Sequence, residues 1–215
     1  MSKKMMLLAL VVASAAMFAM PAVGSAAELH FDNVTSFTGE APAGELRASG
    51  EPTVTCEKTH IKGGLSAGGT TGTIHLDFTG CHINVLGFTV KCRTTGSALD
   101  NTVTTEGVIH LITVATGPKP GVLVTANTTT LECAGTQIIV HGDVIGTITS
   151  PECGKSSKEL KMSFESTGSS QNDKEYTHKL YDLTSTTANG TSATAGLQSA
   201  GVVVKSETEG TLTCT

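Results

Sequence analysis

Six cysteines, at positions 56, 81, 92, 133, 153 and 214, all follow a stretch that reads as an export signal. Lys3 and Lys4 give a positive start, Met5 to Met20 an uncharged apolar run, and Gly24-Ser25-Ala26-Ala27 a small-residue cleavage site. The run is short for a membrane-spanning helix, and no later stretch is long and apolar enough to serve as one. Residues 1–27 are therefore expected to be a removed signal peptide. That leaves residues 28–215 as a secreted, extracellular domain of about 188 residues with no membrane anchor. In an oxidising compartment an even number of cysteines pairs into disulfides. No two stand in Cys-x-x-Cys spacing, so zinc is the weaker reading. Three bridges among Cys56, Cys81, Cys92, Cys133, Cys153 and Cys214 constrain the fold more than any other feature.

The residues between the cysteines favour strands. Threonine occurs 35 times, with Val, Ile and Gly also frequent, and branching at Cβ suits a pleated sheet. Thr73–Thr79 alternates strictly, with Ile74, Leu76 and Phe78 against Thr73, His75, Asp77 and Thr79. Glu159–Glu165 does the same with Leu160, Met162 and Phe164. Less regular strands are expected at 107–116, 121–127, 136–141, 144–149, 179–185, 201–206 and 211–214. Turns are expected at Gly117-Pro118-Lys119-Pro120, His141-Gly142-Asp143 and Asn189-Gly190. No segment after the signal carries a capped helical period. The expected fold class is all-β: an antiparallel β-sandwich stabilised by three disulfides.

The tetrapeptides ending in Cys56, Cys92, Cys133 and Cys214 are versions of one pattern, Thr-Val/Leu-x-Cys or Thr-Val-Thr-Cys, which directs those sulfurs to the core face. A tight turn at Leu86-Gly87 would oppose Val85 to Phe88, Ile83 to Val90 and Cys81 to Cys92, with Asn84–Thr89 and His82–Lys91 on the other face. This register predicts a Cys81–Cys92 bridge, leaving Cys133–Cys153 and Cys56–Cys214. A faint internal echo points elsewhere. Cys56, Thr59, Ile61, Gly72-Thr73-Ile74 and Cys81 parallel Cys133, Thr136, Ile138, Gly146-Thr147-Ile148 and Cys153. Read as a duplication into two imperfect halves, it would pair Cys56 with Cys81, Cys133 with Cys153 and Cys92 with Cys214. The segments Thr79-Gly80-Cys81 to Cys92, Leu131-Glu132-Cys133-Ala134-Gly135 to Cys153, and the Thr-rich tail resemble a group of secreted, cysteine-patterned β-rich proteins of actinobacteria. That resemblance implies export and a disulfide-linked β fold; it carries over no activity and no site residue.

Charge narrows the partners. The chain has 14 basic and 19 acidic side chains; loss of Lys3 and Lys4 leaves 12 and a net charge of −7. This spread acidic surplus argues against nucleic acid and anionic lipid as partners. The absence of Trp and the presence of only two Tyr argue against a sugar-stacking platform. Several motifs resemble catalytic ones. Gly64-Leu65-Ser66-Ala67-Gly68 matches a hydrolase nucleophile pattern but lies in a glycine-rich loop with no helix after it. Gly154-Lys155-Ser156 lacks the earlier glycine of a phosphate loop, Thr149 standing in its place. His75 with Asp77, and His141 with Asp143, would each share a strand face and could act as acid and base or bind metal if sheets brought them together. A histidine and an aspartate on such a wet face are more often only solvated; the other histidines are His30, His60, His82, His110 and His178. Asn172-Asp173 with Glu175 lacks calcium-loop spacing. Asn33, Asn127 and Asn189 head glycan-acceptor triplets.

No catalytic, metal or cofactor residues are therefore assigned and no cofactor is expected. The expected function is a non-enzymatic structural or interaction module of the cell envelope or extracellular space, with a glycan or protein of the wall or surroundings as partner. The alternative is an extracellular hydrolase using His75, Asp77, His141 and Asp143, with or without a metal.

Overall fold

The structure, a computed structural model, describes residues 29–115, 119–177, 179–187 and 190–214. The signal read over residues 1–27, His178 and Asn189 lie outside the described residues. Among the described residues there is no helix. The first half carries β1 Leu29–Phe31, β2 Phe37–Ala41, β3 Gly44–Ala48, β4 Val54–Cys56, β5 Lys58–Leu65, β6 Thr71–Thr79, β7 His82–Val85, β8 Phe88–Thr94 and β9 Thr102–Val114. The second carries β10 Lys119–Cys133, β11 Thr136–Ser150, β12 Ser156–Phe164, β17 Leu183–Thr187 and β18 Ser192–Cys214. Four two-residue strands fall between β12 and β17: β13 Ser166–Thr167, β14 Ser170–Gln171, β15 Glu175–Tyr176 and β16 Lys179–Leu180.

Every strand pairing is antiparallel, as expected, and fourteen strands join one continuous hydrogen-bonded sheet. Its layers are linked into two closed circuits. One runs β2-β5-β6-β9-β10-β11-β12-β18 and returns to β2. The other runs β3-β4-β7-β8-β10-β11-β17-β18 and returns to β3. The circuits share β10, β11 and β18, strands of 15, 15 and 23 residues. Their length is the reason one chain closes both. Each long strand hydrogen-bonds one set of neighbours over one half and another set over the other half. Closure leaves few open edges to pair with a foreign strand.

Several expected boundaries move. Residues 136–141 and 144–149 form a single strand, so His141-Gly142-Asp143 is a kink inside β11 and not a turn. Gly142 has φ 118°, and a Cβ there would lie 2.2 Å from Asp182 O. The missing side chain lets β11 continue past that carbonyl, which accepts from Asp143 N at 3.0 Å. Residues 201–206 and 211–214 are likewise one strand: β12 pairs with β18 at 202–205 and again at Gly210 and Thr211, across a break in register, and β1 pairs with its last three residues. Residues 179–185 divide into β16 and β17. Part of the Gly117–Pro120 turn lies outside the described residues, and Lys119 and Pro120 begin β10.

The β7–β8 register is the expected one: His82–Lys91, Ile83–Val90, Asn84–Thr89 and Val85–Phe88. The disulfides inferred from it are corrected. The bonds are Cys56–Cys81, Cys92–Cys133 and Cys153–Cys214, and no cysteine is free. Cys81–Cys92, Cys133–Cys153 and Cys56–Cys214 do not form, and of the echo's three pairs only Cys56–Cys81 does. The reason lies in sheet geometry. Cys56, Cys92 and Cys133 on β4, β8 and β10, with Cys81 just before β7, stand in one cross-strand row. Cys92 N donates to Cys81 O at 2.8 Å, so the hairpin pair is of the hydrogen-bonded, wider kind. A strand residue's N–H and C=O point to the same side, so its other neighbour stands in the narrow, unbonded kind of pair. Cys56–Cys81 and Cys92–Cys133 are those narrow pairs, with Cα separations of 4.0 and 4.3 Å. The echoed segments also differ in structure: 59–61 and 72–74 lie on two paired strands, 136–138 and 146–148 on one.

Inward side chains fill both circuits. Phe31, Phe37, Ile61, Ile109, Leu160 and Phe164 are among those packed in the first. Val54, Ile83, Val103, Leu131 and Ile138 surround the sulfurs in the second. A third cluster, Ile112, Val114, Leu123 and Ile145, lies on the outward face of β9-β10-β11. The excursion between β12 and β17 covers it with Tyr176 and Tyr181.

Candidate functional site

Among the described residues, two cavities of about 90 and 110 Å³ lie inside the circuits, walled mainly by apolar side chains, with Thr59 and Ser199 also lining the first. Each is smaller than the roughly 150 Å³ cavity that holds a benzene molecule. The circuits are filled mainly by side chains, and the exposed polar and charged groups lie on their outward faces.

The histidine–carboxylate pairs fall on those faces. His75 Nε2 lies 3.2 Å from Asp77 Oδ1, and its Nδ1 lies 3.2 Å from Glu106 Oε1 on β9. Thr104 Oγ1 also donates to Asp77 Oδ1, at 2.8 Å. One imidazole thus bridges two carboxylates. His141 instead meets Thr184 Oγ1 at 3.0–3.1 Å, and Asp143 accepts from Thr125 Oγ1. The two pairs do not come together. β9 and β10 lie between β6 and β11, which at about 4.8 Å per strand separates His75 from His141 by roughly 14 Å. Among the described residues no three His, Cys, Asp or Glu side chains converge on a metal position. Ser66 occupies the expected loop, its hydroxyl donating to Thr71 O at 2.8 Å and lying 2.9 Å from Thr71 Oγ1. His30 binds the same loop through Gly68 O and Thr70 Oγ1, each at 2.9 Å. His60 lies 3.4 Å from Glu40, His82 binds Gly80 O, and His110 packs edge-on to Tyr176. Asp173 accepts from Thr147 Oγ1 at 3.1 Å.

His75 sits in the middle of a longer feature. The register places Lys205, Thr38, Lys62, His75 and Glu106 side by side across β18, β2, β5, β6 and β9. Three shallow depressions follow this row. The first, about 880 Å³, holds Glu40, Lys58, His60, Lys62, Glu159 and Lys205. The second, about 460 Å³, shares Lys62 and adds Thr73, His75, Glu106 and Asn127. The third, about 670 Å³, shares Glu106 and Asn127 and continues over Thr94, Thr105, Thr128 and Thr130. Together they form a continuous polar belt.

The third depression exists because the sheet forks there. β9 pairs with β10 only as far as Gly107–Ala126, and β8 takes over from Leu131–Thr94. β10 bulges between Ala126 and Thr129. Threonine hydroxyls stitch the gap. Thr104 N donates to Thr94 Oγ1 at 2.7 Å, and Thr129 Oγ1 donates to Thr105 Oγ1 at 2.6 Å and Asn127 O at 3.1 Å. The Asn127 and Thr128 side chains at the bulge remain exposed to the groove. The sequence marked Asn127 only as a glycan-acceptor position. Its place at a fork depends on two strands that reach β10 from distant parts of the chain.

Electrostatically the belt alternates. A hydrogen bond and ion pair with Lys58, at 2.8 Å, holds the Glu40 carboxyl below its ordinary range. The Lys205 ammonium does the same to Glu159 at 2.8 Å and is itself pushed up by that carboxylate. Lys62 and Lys161 have no ion-pair partner among the described residues. No helix among the described residues is long and apolar enough to cross a membrane. With three disulfides, this is consistent with an extracellular or otherwise oxidising location. Comparison with protein-family models, curated proteins and solved structures found no match.

Proposed function

We propose that the protein is an exported, non-enzymatic binding module that lays an extended polar polymer along the belt. A carboxylate-bearing glycan of the cell envelope is the ligand that fits best. The observation that carries this reading is the continuity of the three depressions across successive strands, over filled interiors. Hydroxyl and amide groups from Thr105, Asn127 and Thr128 suit a polyhydroxylated chain, and Lys62 and Lys161 suit its carboxylates. From Lys205 to Asn127 the belt spans about 24 Å at the inter-strand spacing of a sheet, room for several units of a glycan lying across the strands.

The test is retention on insoluble cell-wall polysaccharide. The purified protein is expected to be retained, and Lys62→Ala/His75→Ala/Asn127→Ala to lose at least tenfold in affinity with an unchanged melting temperature. Salt should weaken binding through the lysines. Absence of retention on any wall fraction, or equal retention of the triple variant, would remove the belt from consideration.

A further inference from the structure

The tip of the β7–β8 hairpin has a different chemistry from the belt and shares no residue with it. Leu86 is 94% exposed, Phe88 75% and Val85 38%, although all three are large and apolar. The turn has φ 50° at Leu86 and 86° at Gly87, the two-residue geometry that Asn-Gly fills most easily. A leucine at the first position thus forgoes both an easy backbone conformation and burial. The stalk below is held on both sides: Cys81 is bonded to Cys56 and Cys92 to Cys133. Between Gly80 and Thr94 there is no acidic residue, in a chain of net charge −5, but there are His82, Lys91 and Arg93. Arg93 is engaged by Asp100 and Glu132, whereas Lys91 has no ion-pair partner among the described residues.

We propose that this tip docks on a lipid bilayer surface. Val85, Leu86 and Phe88 enter the boundary between head groups and acyl chains, and Lys91 meets the phosphates. Lys91 lies three residues from Phe88, about 10 Å along a strand, which matches the roughly 5–10 Å to which interfacial apolar side chains penetrate. Area favours lipid over protein. Three side chains expose only a few hundred Å², well under the ~800 Å² that each partner brings to a standard protein interface. A second copy meeting tip to tip has the same deficit. A bilayer needs no complementary pocket. The locally basic collar also answers the acidic surplus of the whole chain, which by itself disfavours anionic surfaces.

The chain contains no tryptophan, so Phe88→Trp is a reporter without background. With protein-free vesicles of phosphatidylcholine and phosphatidylglycerol, its emission is expected to shift to the blue and the protein to sediment with the vesicles. Leu99→Trp, at a site 61% exposed away from the tip, should show no shift. Leu86→Asn/Phe88→Thr should lose at least tenfold in partition while melting no lower than the parent, since asparagine suits the left-handed turn. Lys91→Gln should lose about fivefold on anionic vesicles only. An unshifted Phe88→Trp emission, equal partition of parent and double variant, or binding confined to membranes that contain a protein receptor would each overturn the proposal. None of these outcomes touches the belt.

Discussion

Reduction of the three disulfides is expected to unfold the protein at 25 °C. The bonds join neighbours in the cysteine order, so their loops, of sequence separation 25, 41 and 61, lie end to end without overlap. In the chain-entropy picture such loops contribute independently, at about 3.5, 3.9 and 4.3 kcal/mol. Their sum, on the order of 10 kcal/mol, is as large as the whole net stability of a typical domain. The second circuit should fail first in structure, because its β4–β7 contact has a single register pair, Thr55–His82, and the Cys56–Cys81 bond is what holds it. Chemistry should start elsewhere. Cys153 is exposed, whereas Cys81, Cys92 and Cys133 are fully buried. Mild reductant should therefore open Cys153–Cys214 alone and leave a folded, two-disulfide species, visible by alkylation and peptide mapping. Strong reductant should abolish the cooperative melting transition. A fully reduced, alkylated protein that melts within a few degrees of the oxidised one would refute the account.

What the sequence revealed and what it hid divide by range along the chain. The alternation of Thr73–Thr79 and the pairing across Leu86-Gly87 are local and read correctly, since a period of two fixes faces without reference to the rest. The disulfide partners were misread from that same correct hairpin. Whether Cys81 bonds across the hairpin or away from it depends on which strands flank β7 and β8, and those arrive from Val54–Cys56 and from Thr130–Cys133. Closure of the two circuits is a property of β18, whose length was broken in the reading at Glu207-Thr208-Glu209-Gly210. There both faces are polar and nothing announces a strand; the β12 ladder itself breaks after Lys205 and resumes at Gly210 and Thr211, so only the pairing on either side of the break makes the two pieces one strand. In the belt, His75 with Asp77 was legible because they are two residues apart. Glu106, 31 residues from His75 in sequence, and the fork at Asn127 were not.

The glycine at the β2–β18 seam of the first circuit should be among the most sensitive single positions outside the cysteines. β2 meets β18 through only three register pairs, Glu40–Val203, Gly39–Val204 and Thr38–Lys205, and these are the seam of the ring. A Cβ at Gly39 would lie 2.4 Å from Val203 O, 2.7 Å from Val204 Cγ1 and 2.9 Å from Val204 Cα. Two of those atoms are backbone and cannot rotate away, so Gly39→Ala must push β2 off its partner. The expected cost is about 3 kcal/mol, at or above the upper end of ordinary overpacking because the displaced ladder is the closing one. For a domain of this size that lowers the melting temperature by roughly 6–12 °C. Opening the seam also exposes Phe37, Ile61 and Val204, so binding of a hydrophobic dye should rise below the melting transition. Gly44 supplies the control. It is also a strand glycine facing β18, but its added Cβ would find its nearest neighbours at 3.5–3.8 Å, ordinary contact. Gly44→Ala should therefore be neutral or stabilise by a few tenths of a kcal/mol through the unfolded chain. If the two alanines shift the melting temperature equally, the β2–β18 seam does not hold the ring closed.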